Sequence, residues 1–391
     1  MLAVQVLFWV CAALILWTQV GYAAALALAA AIRRPPRHGA GPARRSPGRG
    51  AAHRDSLPSL SLIVAAHDEQ GVIAQRVANA LALDYPRELL QVIVACDGCG
   101  DGTAARAREA GADLVLELPR GGKVRAQDAA VACARGEIVA FSDANALWEP
   151  GAARELVAAF ADPRVGYACG QVRFVQAAAR GGNQEGVYWR YELAVRALES
   201  QLSSITAGNG AIYATPRASY IVVDPIMGHD LSLPFNVVKR GRRAVYVPAA
   251  RASEKMVPSL GGEFARKRRM MSHTWPIVLR GGMLSPRGYT PGYALMILSH
   301  RLLRYATPLL HVVVLAANIW LVAAGRGLPY TLTLCLQALV LACAALAGLV
   351  PLRLPRLARY YVLTTASPAA GLWDWLRHGT SASWEVAEGT R

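Results

Sequence analysis

Two polar side chains, Asp143 and Asn145, follow a short apolar run at residues 138–141. The run predicts a buried strand, and its carboxyl end is where an open α/β sheet presents groups to a ligand. Residues two apart on an extended chain point the same way, so both side chains can face one ligand. Their oxygens suit a hard cation, Mg²⁺ or Mn²⁺, bound to phosphate. A polar turn is the alternative, because Asp and Asn are common in turns.

Other polar groups follow two earlier apolar runs. His67 and Glu69 come after residues 60–64, and Asp97 comes after residues 90–95. Groups at successive strand ends line one crevice of a parallel sheet, which is where such sheets bind nucleotides. Ionised acids only accept hydrogen bonds, so they suit ribose hydroxyls and base N–H groups. Each of these acids could instead form a cap or a turn.

A basic residue completes this set of groups. Lys123 follows Gly121 and Gly122 and opens a predicted helix at residues 123–134. The N-terminus of a helix favours anions through its N–H groups and its dipole. We therefore expect a diphosphate to bind beside Lys123.

The order of the predicted elements defines the fold class. The strands are residues 60–64, 90–95, 113–118 and 138–141, and the helices between them are residues 69–83, 104–110 and 123–134. This alternation predicts an α/β fold with a doubly wound, mostly parallel sheet and helices on both faces. The glycines after the first strand lack the spacing of a dinucleotide fingerprint, which disfavours an NAD-type fold.

The composition is that of a membrane protein. Hydrophobic residues make up 54% and charged residues 17% of the 391 residues, which is too apolar for an ordinary soluble enzyme. The net charge of +16 favours contact with anionic lipid headgroups and phosphorylated substrates. The sequence has no zinc finger, basic zipper or aromatic RNA-binding pattern, so we do not expect a nucleic acid partner.

The seven cysteines are scattered along the chain. Cys96 and Cys99 form a lone C-x-x-C, and no second pair completes a zinc site, so the sequence predicts neither metal nor redox use for them. The pattern is typical of free thiols in a reducing compartment.

Apolar segments lie near both ends. Residues 2–32 are long enough to span a bilayer, and no basic residue precedes them, which disfavours a signal peptide. Arginines follow this segment, so the positive-inside rule places the next domain in the cytoplasm. Residues 305–324 and 331–352 predict two further spans. Residues 360–376 are short and flanked by basic residues, which favours a surface or re-entrant segment.

The sequence therefore predicts six regions of a multi-pass protein of the cell membrane. They are an N-terminal transmembrane helix at 1–32, a basic Pro/Gly/Arg tether at 33–58, a cytoplasmic catalytic domain at 59–280, an interfacial segment at 281–304, two transmembrane helices at 305–352, and an interfacial or re-entrant segment with the C-terminal tail at 353–391.

A glycine-containing loop and an acidic residue lie in the second half of the predicted catalytic domain. Gly208 and Gly210 would let the backbone approach a sugar closely, although a hairpin turn is the alternative. Asp230 lies near the start of a predicted helix, where it is either a catalytic base or an N-terminal cap.

These residues resemble the glycosyltransferases of family 2, which have the GT-A fold. The family's P-A-Y-N-E motif is matched by AAHDE at residues 65–69, and its D-D-G-S-T-D-G-T motif by CDGCGDGT at residues 96–103. Its G-K, D-x-D and E-D or D-D motifs are similar to Gly122-Lys123, to residues 143–145, and to His229-Asp230. The resemblance covers residues 58–300, and the flanking spans are similar to those of membrane-bound members.

The resemblance implies a role for each matched position. The residues implied in donor binding are Ala65, His67, Glu69, Asp97, Lys123, Asp143 and Arg269. Asp143 and Asn145 would hold Mg²⁺ or Mn²⁺, and Asp230 would be the catalytic base. The residues implied on the acceptor side are Gly208, Asn209, Gly210 and His229.

Two departures from the family pattern affect these roles. Asn145 replaces the acid that usually binds the metal, and an uncharged amide oxygen predicts weaker metal affinity. The Q-x-x-R-W element is represented by RKRRM at residues 266–270, in which Arg269 keeps the basic position and the aromatic residue is lost. The second departure argues against processive polymerisation.

We therefore expect an inverting glycosyltransferase of the hexosyl or N-acetylhexosaminyl type. Its donor would be a nucleotide-diphosphate sugar, with a UDP-sugar as the first expectation, and its acceptor a cell-envelope glycan or lipid-linked molecule at the cytoplasmic membrane face. One alternative is transfer to polyprenyl phosphate, which is already an anion and needs no base. The other is a catalytically silent membrane protein that binds sugar nucleotides.

Overall fold

A computed structural model describes residues 1–33, 57–175, 183–255, 260–348 and 352–382 of the chain. Its centre is one sheet of eight strands. The strands are β1 (Leu60–Ala66), β2 (Leu90–Asp97), β3 (Leu114–Leu118), β4 (Ile138–Asp143), β5 (Leu147–Trp148), β6 (Val165–Val175), β7 (Tyr213–Pro216) and β8 (Arg243–Lys255). Their order across the sheet is β3-β2-β1-β4-β7-β6-β8-β5.

The first four strands form the parallel half of the sheet. Strand β1 pairs in parallel with β2 and with β4, and β2 pairs in parallel with β3. Every residue of β1 and β2 is buried, as expected for apolar runs that are covered on both faces. The predicted α/β fold with a mostly parallel sheet is confirmed.

The other four strands make the sheet mixed. Strand β7 is antiparallel to both β4 and β6, while β6 and β8 are parallel. The two-residue strand β5 pairs with β8 at Ala252 and Ser253. This pairing brings the carboxyl end of β8 next to the segment that follows Asp143.

Helices surround the sheet and form both ends of the chain. They are α1 (Leu2–Leu16), α2 (Tyr22–Arg33), α3 (Ile73–Leu81), α4 (Thr103–Glu109), α5 (Lys123–Ala132), α6 (Ala152–Ala158), α7 (Asn183–Leu202), α8 (His229–Lys239), α9 (Leu260–Leu279), α10 (Pro291–Met296), α11 (Leu303–Ala323), α12 (Leu328–Leu346) and α13 (Arg353–His378). Helix α3 begins at Ile73, later than the predicted start at residue 69, and the backbone N–H of Glu69 donates to Thr103 Oγ1 (2.7 Å).

Three helical segments are long and apolar enough to cross a membrane: Leu2–Arg33, Pro291–Ala323 and Leu328–Leu346. The first joins α1 to α2 through a π-helical turn, Trp17–Gly21, and the second joins α10 to α11 through another, Ile297–Leu302. The second segment starts at Pro291, so the helix extends into the region predicted as interfacial at 281–304. Helix α13 is not among the three segments.

Helix α13 packs along α9 at the edge of the sheet domain. Arg268 donates from Nε and Nη2 to the two carboxylate oxygens of Asp374, each at 2.5 Å. Gly371 lets the helices approach closely, since a Cβ there would lie 2.5 Å from Met271 Cβ. After α13, Thr380 Oγ1 donates to the Ser272 carbonyl at 2.9 Å.

Candidate active site

Asp97 is buried at the end of β2 and holds the loop that precedes Lys123. Its Oδ1 accepts hydrogen bonds from the backbone N–H groups of Gly121 (2.6 Å) and Gly122 (3.0 Å). Gly122 has a φ of 96°, a conformation that favours glycine. A Cβ at Gly122 would also overlap the carbonyl of Ala382, so the C-terminal segment lies directly over this loop.

Lys123, the first residue of α5, forms an ion pair with Asp143 at the end of β4. Burial opposes the charge of the lysine, but the neighbouring carboxylates outweigh it and raise the pKa of Lys123. Those carboxylates belong to Asp143, Asp230 and Glu254. Four charged groups from β4, α5, α8 and β8 therefore lie around one position.

The loop at residues 206–210 closes over this ion pair. A Cβ at Gly210 would lie 3.2 Å from Lys123 Nζ and 3.5 Å from Asp143 Oδ2. A Cβ at Gly208 would overlap the hydroxyl of Tyr167, and the Gly208 N–H donates to the Asp230 carbonyl at 2.7 Å. The loop thus links the Lys123–Asp143 pair to the start of α8.

Asn209 has a structural part in the same loop. Its Oδ1 accepts from the backbone N–H groups of Ala211 (3.1 Å) and Ile212 (2.9 Å), and its Nδ2 donates to the Gly170 carbonyl at 2.7 Å. The side chain that the resemblance assigned to the acceptor is therefore occupied in holding the loop.

Asp230 lies in the first turn of α8 and is partly exposed. Its Oδ1 lies 2.7 Å from where a Cβ on Gly228 would be, so the carboxylate folds back over the residue before the helix. Gly228 occupies the N-cap position of α8, and Asp230 is the second residue of the helix.

His229 is buried among the rings of Phe141, Tyr213 and Tyr220. Its Nδ1 lies 2.9 Å from the Tyr213 hydroxyl and its Nε2 lies 3.3 Å from the Tyr220 hydroxyl. Burial, with help from the charge of Lys123, lowers the pKa of His229 to about 3. The imidazole is therefore neutral and supports the N-terminus of α8.

Glu254 is a site residue that sequence reasoning missed. It lies near the end of β8, next to residues 252 and 253 that pair with β5. Burial and the negative charge of Asp143 raise the pKa of Glu254 to about 7, against the opposing charges of Lys123 and Arg266. The available signal in the sequence was an acidic residue near the end of the segment that forms β8. Because β8 lies over 100 residues beyond Asp143, the sequence did not indicate that the two carboxylates are close.

The predicted metal ligands fit a hard divalent cation. Asp143 offers a carboxylate, and Asn145 follows in the tight turn closed by the Ala146 N–H to Asp143 carbonyl bond at 3.2 Å. Glu254 adds a second carboxylate close enough for the charge of Asp143 to raise its pKa. An oxygen-only donor set with excess negative charge is the set that Mg²⁺ and Mn²⁺ prefer.

The basic cluster on α9 divides between two neighbours. The positive charge of Arg266 opposes the rise in the pKa of Glu254. Lys267 donates to the Tyr360 hydroxyl and Arg268 donates to the Asp374 carboxylate, and both of these partners belong to α13. Arg269 was the residue predicted for the donor site. It lies beside His273, whose pKa is lowered by burial and by the charge of Arg269 and raised by Asp230. Arg266 thus affects the electrostatics of Glu254, whereas Arg269 and Asp230 both affect those of His273.

The remaining predicted donor residues lie along the ends of β1 and β2. Ala65 pairs in register with Asp143, and His67 Nδ1 lies 2.7 Å from the Asp97 carbonyl. Glu69 is buried in the turn before α3. Most of the predicted side chains thus meet at one edge of the sheet, while His229 and Asn209 support that edge from behind.

Comparison with known proteins identifies the class. The family described as glycosyltransferase like family 2 matches residues 58–272, which is more than half of the chain. The chain therefore belongs to glycosyltransferase family 2, and the resemblance found in its motifs is confirmed. No curated protein matches it.

Solved structures agree with this fold. A mannosyltransferase from Pyrobaculum calidifontis, PcManGT, solved with GDP-Man and Mn²⁺, matches with a TM-score of 0.71 and 22% identity over 96% of this chain and 99% of that one. Glucosyl-3-phosphoglycerate synthase from Mycobacterium tuberculosis matches with a TM-score of 0.40 and 19% identity over 56% of this chain and 78% of that one. The first similarity shows that nearly the whole chain shares the fold of that mannosyltransferase, with a GT-A-type sheet between apolar helical segments.

Proposed function

We propose that this chain is an inverting glycosyltransferase that moves a sugar from a nucleotide-diphosphate sugar to an acceptor at the membrane surface. The observation that carries the proposal is the meeting of Lys123, Asp143, Asp230 and Glu254 around one position, beside the loop that Asp97 holds. Groups for a diphosphate and a base for an acceptor are thus close to one another.

The donor side uses Asp97, Lys123 and Asp143. Asp97 orients the Gly121-Gly122 loop, whose continuation is the N-terminus of α5, so that a diphosphate meets both helix N–H groups and the Lys123 ammonium. Mg²⁺ or Mn²⁺ held by Asp143 and Asn145, with Glu254 beside them, would supply charge neutralisation to the leaving nucleoside diphosphate. PcManGT was solved with Mn²⁺ and GDP-Man, which supports this choice.

The acceptor side uses Asp230. Its carboxylate accepts the proton of an acceptor hydroxyl while that oxygen attacks the anomeric carbon on the face opposite to the leaving group. Attack from the opposite face gives inversion. The loop at residues 206–210 positions Asp230 through the Gly208 N–H bond to its carbonyl.

The candidate membrane spans support a location of this pocket near a membrane surface. The candidate spans Leu2–Arg33 and Pro291–Ala323 lie beside α7 and the loop, since Tyr22 donates to Glu199 (2.7 Å) and Arg301 donates to Thr206 Oγ1 (2.8 Å). A cell-envelope glycan or a lipid-linked acceptor could reach the pocket from the bilayer. The arginines that follow residue 32 favour the cytoplasmic face.

Polyprenyl phosphate is the second candidate acceptor. Arg301 lies at the membrane end of the acceptor loop, where a basic side chain favours an anionic headgroup. A phosphate acceptor is already ionised, so it would need no base.

Two experiments test these proposals. The purified full chain should be stabilised against heat by one of UDP, GDP or dTDP with Mn²⁺, and transfer should then be assayed with sugars on that nucleotide. D230N should lower turnover by about 10²–10⁴-fold if the acceptor is a hydroxyl. Retained turnover in D230N would indicate a phosphate acceptor, and binding without any transfer would indicate a silent sugar-nucleotide-binding protein.

A further inference from the structure

A second group of metal-binding side-chain types lies at the carboxyl ends of β1 and β2. A ring nitrogen of His67, a carboxylate oxygen of Asp68 and the Sγ of Cys99 all lie within 4.8 Å of one another. His67 Nε2 and Asp68 Oδ2 are 3.6 Å apart. Two ligands on one tetrahedral Zn²⁺ ion are separated by about 3.3 Å, so this pair is already close to the required spacing.

His67 is oriented as metal-binding histidines usually are. Its Nδ1 lies 2.7 Å from the backbone carbonyl of Asp97, to which it donates its proton. This bond leaves the lone pair on Nε2, the nitrogen that faces Asp68. A backbone carbonyl on the far nitrogen fixes the tautomer and the ring plane of a ligating histidine.

Asp68 and Cys99 are held in place by their own backbone contacts. Asp68 is the one non-glycine residue with a positive φ (51°) in the part of the chain that the structure describes. Such a conformation is uncommon and is maintained here by the Gly100 N–H, which donates to Asp68 Oδ1 at 2.8 Å. Cys99 Sγ lies 3.5 Å from the Ala66 carbonyl, beside the buried Cys96 that pairs in register with Ala66.

A positive group already occupies this position. The Arg120 guanidinium contacts the His67 ring through Nη1. The position therefore attracts a cation, and a bound metal ion would take the place of the Arg120 guanidinium. Removing that side chain should strengthen metal binding.

We propose that His67, Asp68 and Cys99 form a binding site for a thiophilic divalent cation of the Zn²⁺ class, separate from the oxygen-only site at Asp143. Sulfur, imidazole and one carboxylate favour Zn²⁺ over Mg²⁺ or Mn²⁺. Water supplies the fourth ligand. The lone C-x-x-C gains the partners that its spacing lacked, because the β1–β2 pairing brings residues 67 and 68 to it.

A metal ion bound to His67, Asp68 and Cys99 would inhibit the enzyme. His67 and Asp97 border the donor pocket, so an ion on His67 competes with the nucleoside. This consequence rests on the proposed function, whereas the binding of the ion does not.

Titration of the reduced full chain with Co²⁺ and Cd²⁺ tests the site directly. We expect one equivalent to give thiolate-to-metal charge-transfer absorption. The band should disappear in C99S. H67A should weaken metal binding by more than about tenfold, because even the loss of a residue that only supports a metal ligand usually lowers metal affinity by about tenfold or more. R120M should bind more tightly than the wild type.

Two controls separate this site from others. C133S removes an exposed cysteine elsewhere and should keep the band, and D143N removes the predicted Mn²⁺ ligand and should also keep it. A band that survives in C99S, or that is lost in C133S or D143N, contradicts the site. A kinetic test addresses the competition with the donor separately. Zn²⁺ should raise the KM for the sugar nucleotide in the wild type and not in C99S. An unchanged KM in the wild type with metal bound contradicts the overlap between the metal site and the donor pocket.

Discussion

Gly208 contacts Arg196, Asp230 and Tyr167 through its backbone, and the close approach to Tyr167 requires that it has no side chain. Its carbonyl accepts from Arg196 Nη2 (3.1 Å), its N–H donates to the Asp230 carbonyl, and its Cα lies against the Tyr167 hydroxyl. Tyr167 is fully buried, so it has no space into which to retreat. A methyl group at position 208 must therefore move the loop or the start of α8.

G208A should lower both the thermal midpoint and turnover, because overpacking of this kind costs about 1–3 kcal/mol. The double variant G208A/Y167F should recover part of the loss, since the hydroxyl is the nearest obstruction. The comparison needs thermal unfolding and initial rates of the three proteins. A G208A protein with wild-type turnover would contradict the placement of this loop at Asp230.

The neutral His229 makes stability depend on pH. Its pKa is 6.5 in an unfolded chain and about 3 in the folded one, so the unfolded chain binds the extra proton between these values. The stability contributed by the neutral imidazole is thus present above pH 6.5 and is lost as pH falls toward 3. H229Q should flatten the fall in unfolding free energy by up to about 1.4 kcal/mol per pH unit in that window. Parallel pH profiles for H229Q and wild type, measured by chemical unfolding, would refute the burial of a neutral ring.

At the residue scale, the sequence predicted what lies at strand ends and missed what depends on tertiary packing. Asp97 and Asp143 come at the ends of apolar runs that predicted buried strands, and Lys123 opens a predicted helix, so their meeting was foreseeable. Glu254 and the burial of His229 were not, because each is set by contacts with residues far away in the sequence.

The pairing of α9 with α13 shows what an element contributes to the site. Helix α9 carries Arg266 toward Glu254, and α13 holds α9 through the Arg268–Asp374 ion pair and through Trp275 Nε1, which donates to the Pro368 carbonyl at 2.9 Å. The sequence predicted that residues 360–376 do not form an ordinary span but gave no partner for them, since ion pairs between distant helices have no local signal.

G371A tests this pairing. A Cβ at Gly371 would lie 2.5 Å from Met271 Cβ and 2.7 Å from the Arg268 carbonyl, so the helices must separate. We expect a loss of about 1–3 kcal/mol and faster proteolysis between α12 and α13. G292A is the matched control, because nothing lies within 4 Å of a Cβ there and the change should be neutral or stabilising. Equal effects of the two substitutions would show that α13 is not docked on α9.

At the scale of the whole molecule, a buried polar network joins two of the candidate membrane spans to the sheet domain. Glu199 of α7 is fully buried and accepts from Tyr22 Oη (2.7 Å), the Thr206 N–H (3.0 Å) and His300 Nδ1 (2.7 Å). Burial opposes its ionisation, but the charges of His300 and Arg301 hold the pKa of Glu199 below its ordinary value. Thr206 begins the loop over Lys123, so the membrane helices and the pocket form one unit.

Removing the Glu199 carboxylate should therefore lower both the stability of the protein and its turnover. E199A leaves the partner charges buried without compensation, which costs about 3–5 kcal/mol, and it should lower turnover through the loop. E199Q keeps the hydrogen-bonding shape and should be milder. E117A, which breaks only the exposed pair with Arg108, should change stability by about 0–1 kcal/mol. Thermal unfolding in detergent measures the stability of these variants, and initial rates measure their turnover. An E199A protein as active and stable as E117A would contradict the link between the Glu199 network and the loop at residues 206–210.

Calorimetric binding of the preferred nucleotide with Mn²⁺ to the wild type, D143N, K123M and D230N is the most direct check on the shared pocket. The proposed mechanism predicts that binding is strong and Mn²⁺-dependent in the wild type, much weaker in D143N and K123M, and close to wild type in D230N, because Asp230 serves the acceptor. Unchanged binding in D143N and K123M, or binding lost in D230N alone, would mean that these side chains do not hold the donor.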